Sequence, residues 1–152
     1  MAANLYATLD DTNAHLPVEQ GKAQIMDGQD DLLQIDAYRL IRGRLSGTFD
    51  LSVINTWVSP ATTPEQIRQI AGKIIAAKWY ALLVAEDEPD GSTFAQNLYN
   101  EAIAALNDIR NGTLTVIGVD GEELENSALI ESSFWPNDTS PPPSFTVEEN
   151  WA

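Results

Sequence analysis

The sequence predicts a mainly α protein, a small helical bundle around one central buried helix, with a short β-strand or hairpin and an extended C-terminal arm. The stretch Thr63–Glu86 is apolar around most of its circumference, so other helices must surround it. Two more stretches have apolar residues at helical spacing, and one short segment is rich in β-branched residues. A length of 152 residues, of which 43% are hydrophobic, suffices for one domain with a real core.

A short helix is predicted within residues 5–17, after an extended lead-in segment. Thr8 can cap its free backbone N–H groups, and Asp10 and Asp11 suit its first turn because they complement the helix dipole. His15 is the only histidine of the chain. Because neither a cysteine nor another histidine lies beside it, a surface or packing role is expected for His15 rather than metal binding.

A second, amphipathic helix is predicted from Asp30 to Gly47. Near its end, Arg39, Arg42 and Arg44 form either a basic patch for subunit contacts or a solvated face. The apolar residues of this helix recur at steps of three and four and form one stripe: Leu33, Ala37, Leu40, Ile41 and Leu45.

The turn before the central helix is predicted over residues 49–60, which have turn chemistry and few helix formers, with Trp57 plugging the core beneath it. The central helix follows directly. Thr63 can cap it, Pro64 suits its first position, and Gln66 would complete a capping box with Thr63. Its uninterrupted apolar part is too short to span a bilayer, and no membrane association is expected.

The next helix is predicted over Phe94–Asn111, with Pro89 and Gly91 as breakers before it and Gly112 at its C-terminal cap. The short connection places it antiparallel beside the central helix. Its apolar face comprises Phe94, Leu98, Ala102, Ala105, Leu106 and Ile109.

A short strand is predicted over Thr113–Val119, followed by a turn at Asp120-Gly121. A single strand cannot stand alone, so it needs a partner strand from this chain or from another subunit.

The composition changes at Glu122, which divides the chain into a helical domain, residues 1–121, and a C-terminal arm, residues 122–152. Residues 120–152 hold eight acids and no base, together with a proline run at residues 141–143. The arm either packs back on its own domain or docks on a partner through aromatic anchors spaced by a stiff polyproline segment. Its candidate anchors are Phe134, Trp135, Phe145 and Trp151.

The chemistry of the chain points away from an enzyme. The net charge of −15 repels phosphate and disfavours tight nucleic-acid binding, while the absence of cysteine excludes disulfides and thiolate metal sites. The sequence has no Gly-rich phosphate loop, no paired histidines and no cysteine nucleophile, so no catalytic residue, metal ligand or cofactor is predicted. No signal peptide is visible, and the protein is expected to be cytosolic when made.

Four stretches carry a family resemblance: LYATLDD, IDAYRLIRGRL, TPEQIRQIAGKIIAAKWY and YNEAIAALNDIRNGTLTV. In this order, and followed by an aromatic tail, they resemble the head-tail adaptor, or connector, proteins of tailed bacteriophages, including the Mu-like head-completion group of unknown function. The resemblance covers about residues 4–121. The chain departs from the family at Leu45-Ser46-Gly47, where an aromatic residue is common, and in its longer, more acidic tail.

The resemblance implies a virion protein at the head-tail junction, present in the host cytoplasm during assembly. Such a protein forms a ring, usually of twelve copies, under the portal protein. The ring extends the channel, lets DNA pass without specific binding and offers a docking surface to a tail or tail-completion protein, and the C-terminal segment contacts the portal. The alternative is a monomeric acidic binding or inhibitor protein, a nucleic-acid mimic whose carboxylates imitate phosphates.

Overall fold

Five α-helices make up most of the computed structural model, which describes residues 6–17, 24–84 and 89–126. A 3-10 turn over Pro60–Thr62 precedes the fourth helix. The fourth and fifth helices form a central pair, against which the first and second pack. The mainly α fold is therefore confirmed. The helices are α1 (Leu9–Asn13), α2 (Asp31–Leu45), α3 (Leu51–Ile54), α4 (Glu65–Val84) and α5 (Pro89–Asn111).

The central helix α4 begins as the sequence predicts, directly after Thr63-Pro64, whereas its predicted end at Glu86 lies outside the described residues. The predicted capping box is replaced by other bonds. The Thr63 hydroxyl donates to the Ser59 carbonyl oxygen at 2.7 Å, and the Gln66 amide reaches the turn after α5. The helix buries residues on every side, as expected: Ile67, Ile70, Ala71, Ile74, Ile75, Ala76, Ala77 and Tyr80.

Helix α5 begins at Pro89, five residues before the predicted start at Phe94, and runs to Asn111 as predicted. Reading Pro89 and Gly91 as helix breakers was wrong. A proline fits the first helical position because its missing N–H would be unbonded there in any case. The predicted apolar face is correct in phase, and its buried members are Leu98, Ala102, Leu106 and Ile109, joined by Ala95.

Two contacts show that α4 and α5 are antiparallel, as predicted. The Lys73 ammonium lies 3.3 Å from a Glu101 carboxylate oxygen, and the Tyr80 and Phe94 rings meet edge to face with centroids 4.9 Å apart. From Lys73 to Tyr80 the residue numbers rise along α4, whereas their partners on α5 fall from Glu101 to Phe94, so the two helices run in opposite directions. The end of α4 and the start of α5 lie at the same end of the domain.

Helix α2 lies antiparallel to α4 and parallel to α5. Its C-terminal Arg44 donates from Nη1 to the Asn107 side-chain oxygen of α5 at 3.4 Å. Nearer its start, the Asp36 carboxylate faces Lys78 of α4 at 3.9 Å. The N-terminal turn of α2 consequently lies beside the C-terminal turn of α4.

The predicted loop over residues 49–60 contains one helical turn, α3, that the sequence pattern does not reveal. A four-residue helix is too short to show a 3.6-residue period, which explains the miss. The prediction for Trp57 is confirmed, because its side chain is buried and meets the Phe49 and Tyr6 rings, with centroids 6.1 Å apart in both pairs. Burial next to Tyr38 raises the pKa of Tyr6 to about 12.

Helix α1 is capped as predicted. The Thr8 hydroxyl accepts from Asp11 N at 3.1 Å, and the Asp11 carboxylate accepts from Thr8 N at 2.9 Å. Asp11 also accepts from Nε and Nη2 of Arg68 on α4, at 3.1 and 3.0 Å. Burial by itself would raise the pKa of Asp11, but the bonds from Arg68 and Thr8 lower it below its ordinary value of 3.8.

Replacing Asp11 by asparagine is expected to lower the free energy of unfolding by about 1–2 kcal/mol at neutral pH, since a charge-assisted pair is lost. The folded-state pKa lies below the unfolded value, so this stabilisation is present above pH 3.8 and is lost as the pH falls through the folded pKa. Urea titrations across this range measure the difference between wild type and variant, which should shrink on acidification. The exposed neighbour Asp10, changed to asparagine, is the control. A difference that does not depend on pH would contradict this assignment.

The strand predicted over Thr113–Val119 is present only as one isolated antiparallel bridge, between Ile117 and Glu123, and no strand is formed in the described part of the chain. The turn between them is closed by Gly121, whose φ of 89° favours glycine. Leu124 N donates to Val116 O at 2.8 Å and holds the returning chain in place. The turn follows the predicted Gly112, whose φ is 82°.

Candidate interaction surfaces

An apolar surface is exposed at the end of the domain where α4 ends. Leu82 follows Lys78 by one helical turn and Leu32 precedes Asp36 by one turn, so the salt bridge between Lys78 and Asp36 shows that both leucines lie toward this end of the domain. Leu32 is 76% and Leu82 is 72% exposed. Leu83 and Phe94 are also exposed at this end of the α4–α5 pair. These four residues, Leu32, Leu82, Leu83 and Phe94, form the apolar tip.

The exposed leucines correct one prediction. The sequence indicates that α4 is packed on several sides along its whole apolar length, whereas its last described turn projects Leu82 and Leu83 into solvent. Neighbouring helices cover only the earlier turns of α4. Exposed apolar groups that lie together on a soluble domain mark an interaction surface more often than isolated ones do.

A second feature, the turn groove, lies at the opposite end of α4. It is an open groove of about 760 Å³ between the first turns of α4 and the turn after α5, and this volume is typical of ligand-binding clefts. Val119 on its wall is 64% exposed, and Ile117 is partly exposed. Its apolar walls are formed by Pro60, Ala61, Ile70, Ala105, Leu114, Ile117 and Val119.

The charges of the turn groove differ from those of the chain as a whole. Two cations, Arg68 and Lys73, and one carboxylate, Glu65, line it, in a protein of net charge −15. Both cations already have an acidic partner, Arg68 with Asp11 and Lys73 with Glu101, so a carboxylate that enters the groove would share them with these partners.

The Gln66 side chain fixes the shape of the turn groove. Its amide nitrogen donates to Thr115 O at 3.1 Å, and its oxygen accepts from Ile117 N at 3.4 Å. These bonds attach the turn to the first turn of α4. Sequence reasoning assigned Gln66 to a helix cap, because a local motif gives no information about a partner 49 residues away.

The three predicted subunit-contact arginines do not form one free patch. Arg42 donates from Nη2 to the Asn55 side-chain oxygen and lies 5.8 Å from the centroid of the Tyr38 ring. Arg44 is held by its bond to α5. Arg39 is exposed, and no hydrogen bond or ion pair joins it to another residue in the described ranges. Of the three, Arg39 is the one available to a neighbour without loss of an internal bond.

The four predicted aromatic anchors, Phe134, Trp135, Phe145 and Trp151, lie outside the described residues. The first residues of the arm, however, contact the domain. The Asn126 side chain donates to the carbonyl oxygens of Ile109 and Arg110 at the end of α5, at 3.1 and 3.2 Å. Asn126, the last described residue, therefore lies at the same end of the domain as the turn groove.

The titratable groups in the part of the chain that is described form no metal site. No group of three or more His, Cys, Asp or Glu residues there is placed to hold a metal ion. His15 packs against α4. Burial and the charge of Lys73 lower its pKa, and a hydrogen bond with Gln69 opposes this. None of the helices in the described ranges has the length and hydropathy needed to cross a membrane.

Searches of protein-family models, of curated proteins and of solved structures found no significant match to this chain.

Proposed function

We propose that this chain is a structural virion protein that forms a ring between the portal and the tail of a bacteriophage. One observation carries the proposal: the domain exposes two apolar surfaces, the apolar tip and the turn groove, at opposite ends of α4. The helix has 20 residues and is about 30 Å long at 1.5 Å per residue, so the two surfaces are well separated. A ring subunit that binds both its neighbour in the ring and another virion protein needs two such surfaces.

The remaining parts of the proposal follow from the sequence resemblance. The ring, usually of twelve copies, extends the DNA channel and docks the tail or tail-completion protein, and the chain catalyses no reaction. Exposed carboxylates on the channel wall repel DNA phosphates, so DNA slides past without specific binding. Arg39 contacts an acidic neighbour in the ring. The assembled protein resides at the head-tail junction of the virion.

Under this proposal the turn after α5 pairs with another chain in the assembled ring. The isolated bridge between Ile117 and Glu123 leaves backbone groups on which a hairpin or a strand of another subunit can extend. Aromatic residues of the arm then serve as anchors on neighbouring chains, the portal among them, because buried aromatic side chains supply much of the affinity of protein interfaces.

Charge substitutions at the two ends test the proposal. Leu82→Glu is expected to weaken binding of the portal or the tail-completion protein, and Val119→Glu to weaken assembly of the ring on the portal, each by at least about tenfold, because burying an unpaired carboxylate in an apolar interface is costly. Binding of the full-length chain to each purified partner is measured by analytical ultracentrifugation.

The matched control is Ala104→Glu, which adds the same charge at an exposed position in the middle of α5. It should leave both affinities within about threefold of wild type, as surface substitutions outside an interface do. Wild-type binding to neither partner, or equal losses from all three substitutions, would contradict the proposal.

The acidic turn favours a second candidate function, a monomeric nucleic-acid mimic. Asp120, Glu122, Glu123 and Glu125 are all exposed within six residues, and such a series can imitate phosphates. Under this alternative the chain stays monomeric when it is mixed with the portal, and it competes with DNA for binding to a basic DNA-binding protein. Light scattering of the chain mixed with portal separates the two functions.

A further inference from the structure

We propose that the turn groove of one copy binds residues 131–138 of the arm of the next copy around the ring. This inference rests on the proposed ring and names the contact that closes it. The segment, ESSFWPND, places Phe134 and Trp135 between two acids, Glu131 and Asp138. It offers two large apolar groups flanked by two carboxylates.

The walls and the charges of the turn groove match this segment. Exposed Ile117 and Val119 present apolar surface to an aromatic side chain, and each buried aromatic group removes roughly 150–250 Å² from water. Arg68 and Lys73 provide the cations for the flanking acids.

Both cations retain donors for an incoming carboxylate. The described bonds of Arg68 use Nε and Nη2, both towards Asp11, although a guanidinium has five N–H donors. Lys73 donates to Glu101, whereas an ammonium group has three donors. The pair of Lys73 and Glu101 is largely solvated, so rearranging it costs little.

The length of the arm permits the contact. Phe134 is the eighth residue after Asn126, which is bonded to the end of α5. An extended chain of that length reaches up to about 26–29 Å, about the length of α4, so Phe134 can lie well away from Asn126.

The need for a closed ring favours the neighbouring copy as the source of the segment. Each subunit of a head-to-tail ring must carry two different surfaces that are complementary to each other. The cationic apolar groove and the acidic aromatic segment form such a pair on one chain. Phe145 and Trp151 lie beyond the prolines at residues 141–143, and these two residues remain for the portal.

Disulfide trapping tests the inference directly, because the chain has no cysteine of its own. Full-length Val119→Cys is mixed with isotope-labelled full-length Ser133→Cys under a mild oxidant, and mass spectrometry identifies the mixed dimer. A chain that carries both substitutions is oxidised in parallel. The control replaces Val119→Cys by Asn97→Cys, an exposed position on α5 that does not line the groove.

The expected result is a mixed dimer at least about tenfold more abundant than with the Asn97 control, and intermolecular oligomers from the double variant. Lys73→Glu should reduce the yield about tenfold, because it converts an attraction into a repulsion. Lys78→Glu, on the same helix and also paired with one acid, should not. A cross-link confined to single chains of the double variant, equal yields with the control, or no cross-link would each overturn the inference.

The two proposals can fail separately. If rings form on the portal but no cross-link forms in the turn groove, only the contact between the arm and the turn groove is rejected. A specific cross-link in a protein that binds neither portal nor tail component would preserve this contact and reject the connector function.

Discussion

Replacing Ile74 by alanine is expected to lower the free energy of unfolding by about 2–5 kcal/mol. Ile74 lies in the middle of α4 and is fully buried, with helices packed around it. Truncation removes buried apolar surface and leaves a cavity that a close-packed core fills only in part. Urea titration followed by tryptophan fluorescence measures the loss, since Trp57 is buried in the same core.

The matched control is Leu82→Ala on the same helix. Leu82 is largely exposed, so its truncation should change the free energy of unfolding by less than about 0.5 kcal/mol. The sequence pattern alone treats both residues as core. Similar losses from both would show that the end of α4 is covered in the free protein, and the apolar tip would not be a free surface.

Replacing Gly72 by alanine is expected to destabilise the protein by about 1–3 kcal/mol, although alanine is the better helix former by about 1 kcal/mol. A Cβ at this position would lie 2.9 Å from the carbonyl oxygen of Asp11, a backbone atom of α1, and 3.4 Å from the His15 ring. Helix α1 would have to move away, which strains the ion pair between Asp11 and Arg68. Thermal unfolding at neutral pH measures the change.

For Gly43→Ala on α2 we expect the opposite change in stability. A Cβ there would meet nothing within 4 Å, so the variant should be more stable by about 0.5–1 kcal/mol through helix propensity alone. Opposite signs at the two glycines would confirm that the backbone of α1 packs directly against Gly72 of α4. Stabilisation at both would contradict that close approach.

Local rules explain which parts of the fold were predictable. The cap of α1 at Thr8, the start of α4 after Pro64 and the phase of the α5 face each depend on residues within a few positions of one another. Such features survive in the folded protein because the tertiary structure agrees with them. The start of α5 was misread because proline disrupts the interior of a helix but is well tolerated at its first position.

The interaction surfaces depend on distant residues, and for that reason the sequence did not reveal them. Leu82 looks like Ile74 in the sequence, and only the helices beside α4 decide which of the two is covered. Arg42 and Arg44 resemble Arg39, but Asn55 and Asn107 engage the first two. The turn groove requires Gln66 to bond the chain 49 residues later, which no local motif records.

The two surfaces are suited to their proposed role because they lie on rigid elements. The apolar tip is built on the ends of three packed helices, and the turn groove is held by the Gln66 bonds and by the pair of Arg68 and Asp11. Binding partners therefore meet preformed surfaces, which lowers the entropy lost on association.

Electron cryomicroscopy of the full-length chain bound to its portal tests the connector function most directly. We expect a closed ring whose subunits direct the apolar tip and the turn groove to different neighbouring chains. Subunits that remain single, with both of these surfaces in solvent and the arm on its own domain, would contradict the connector function.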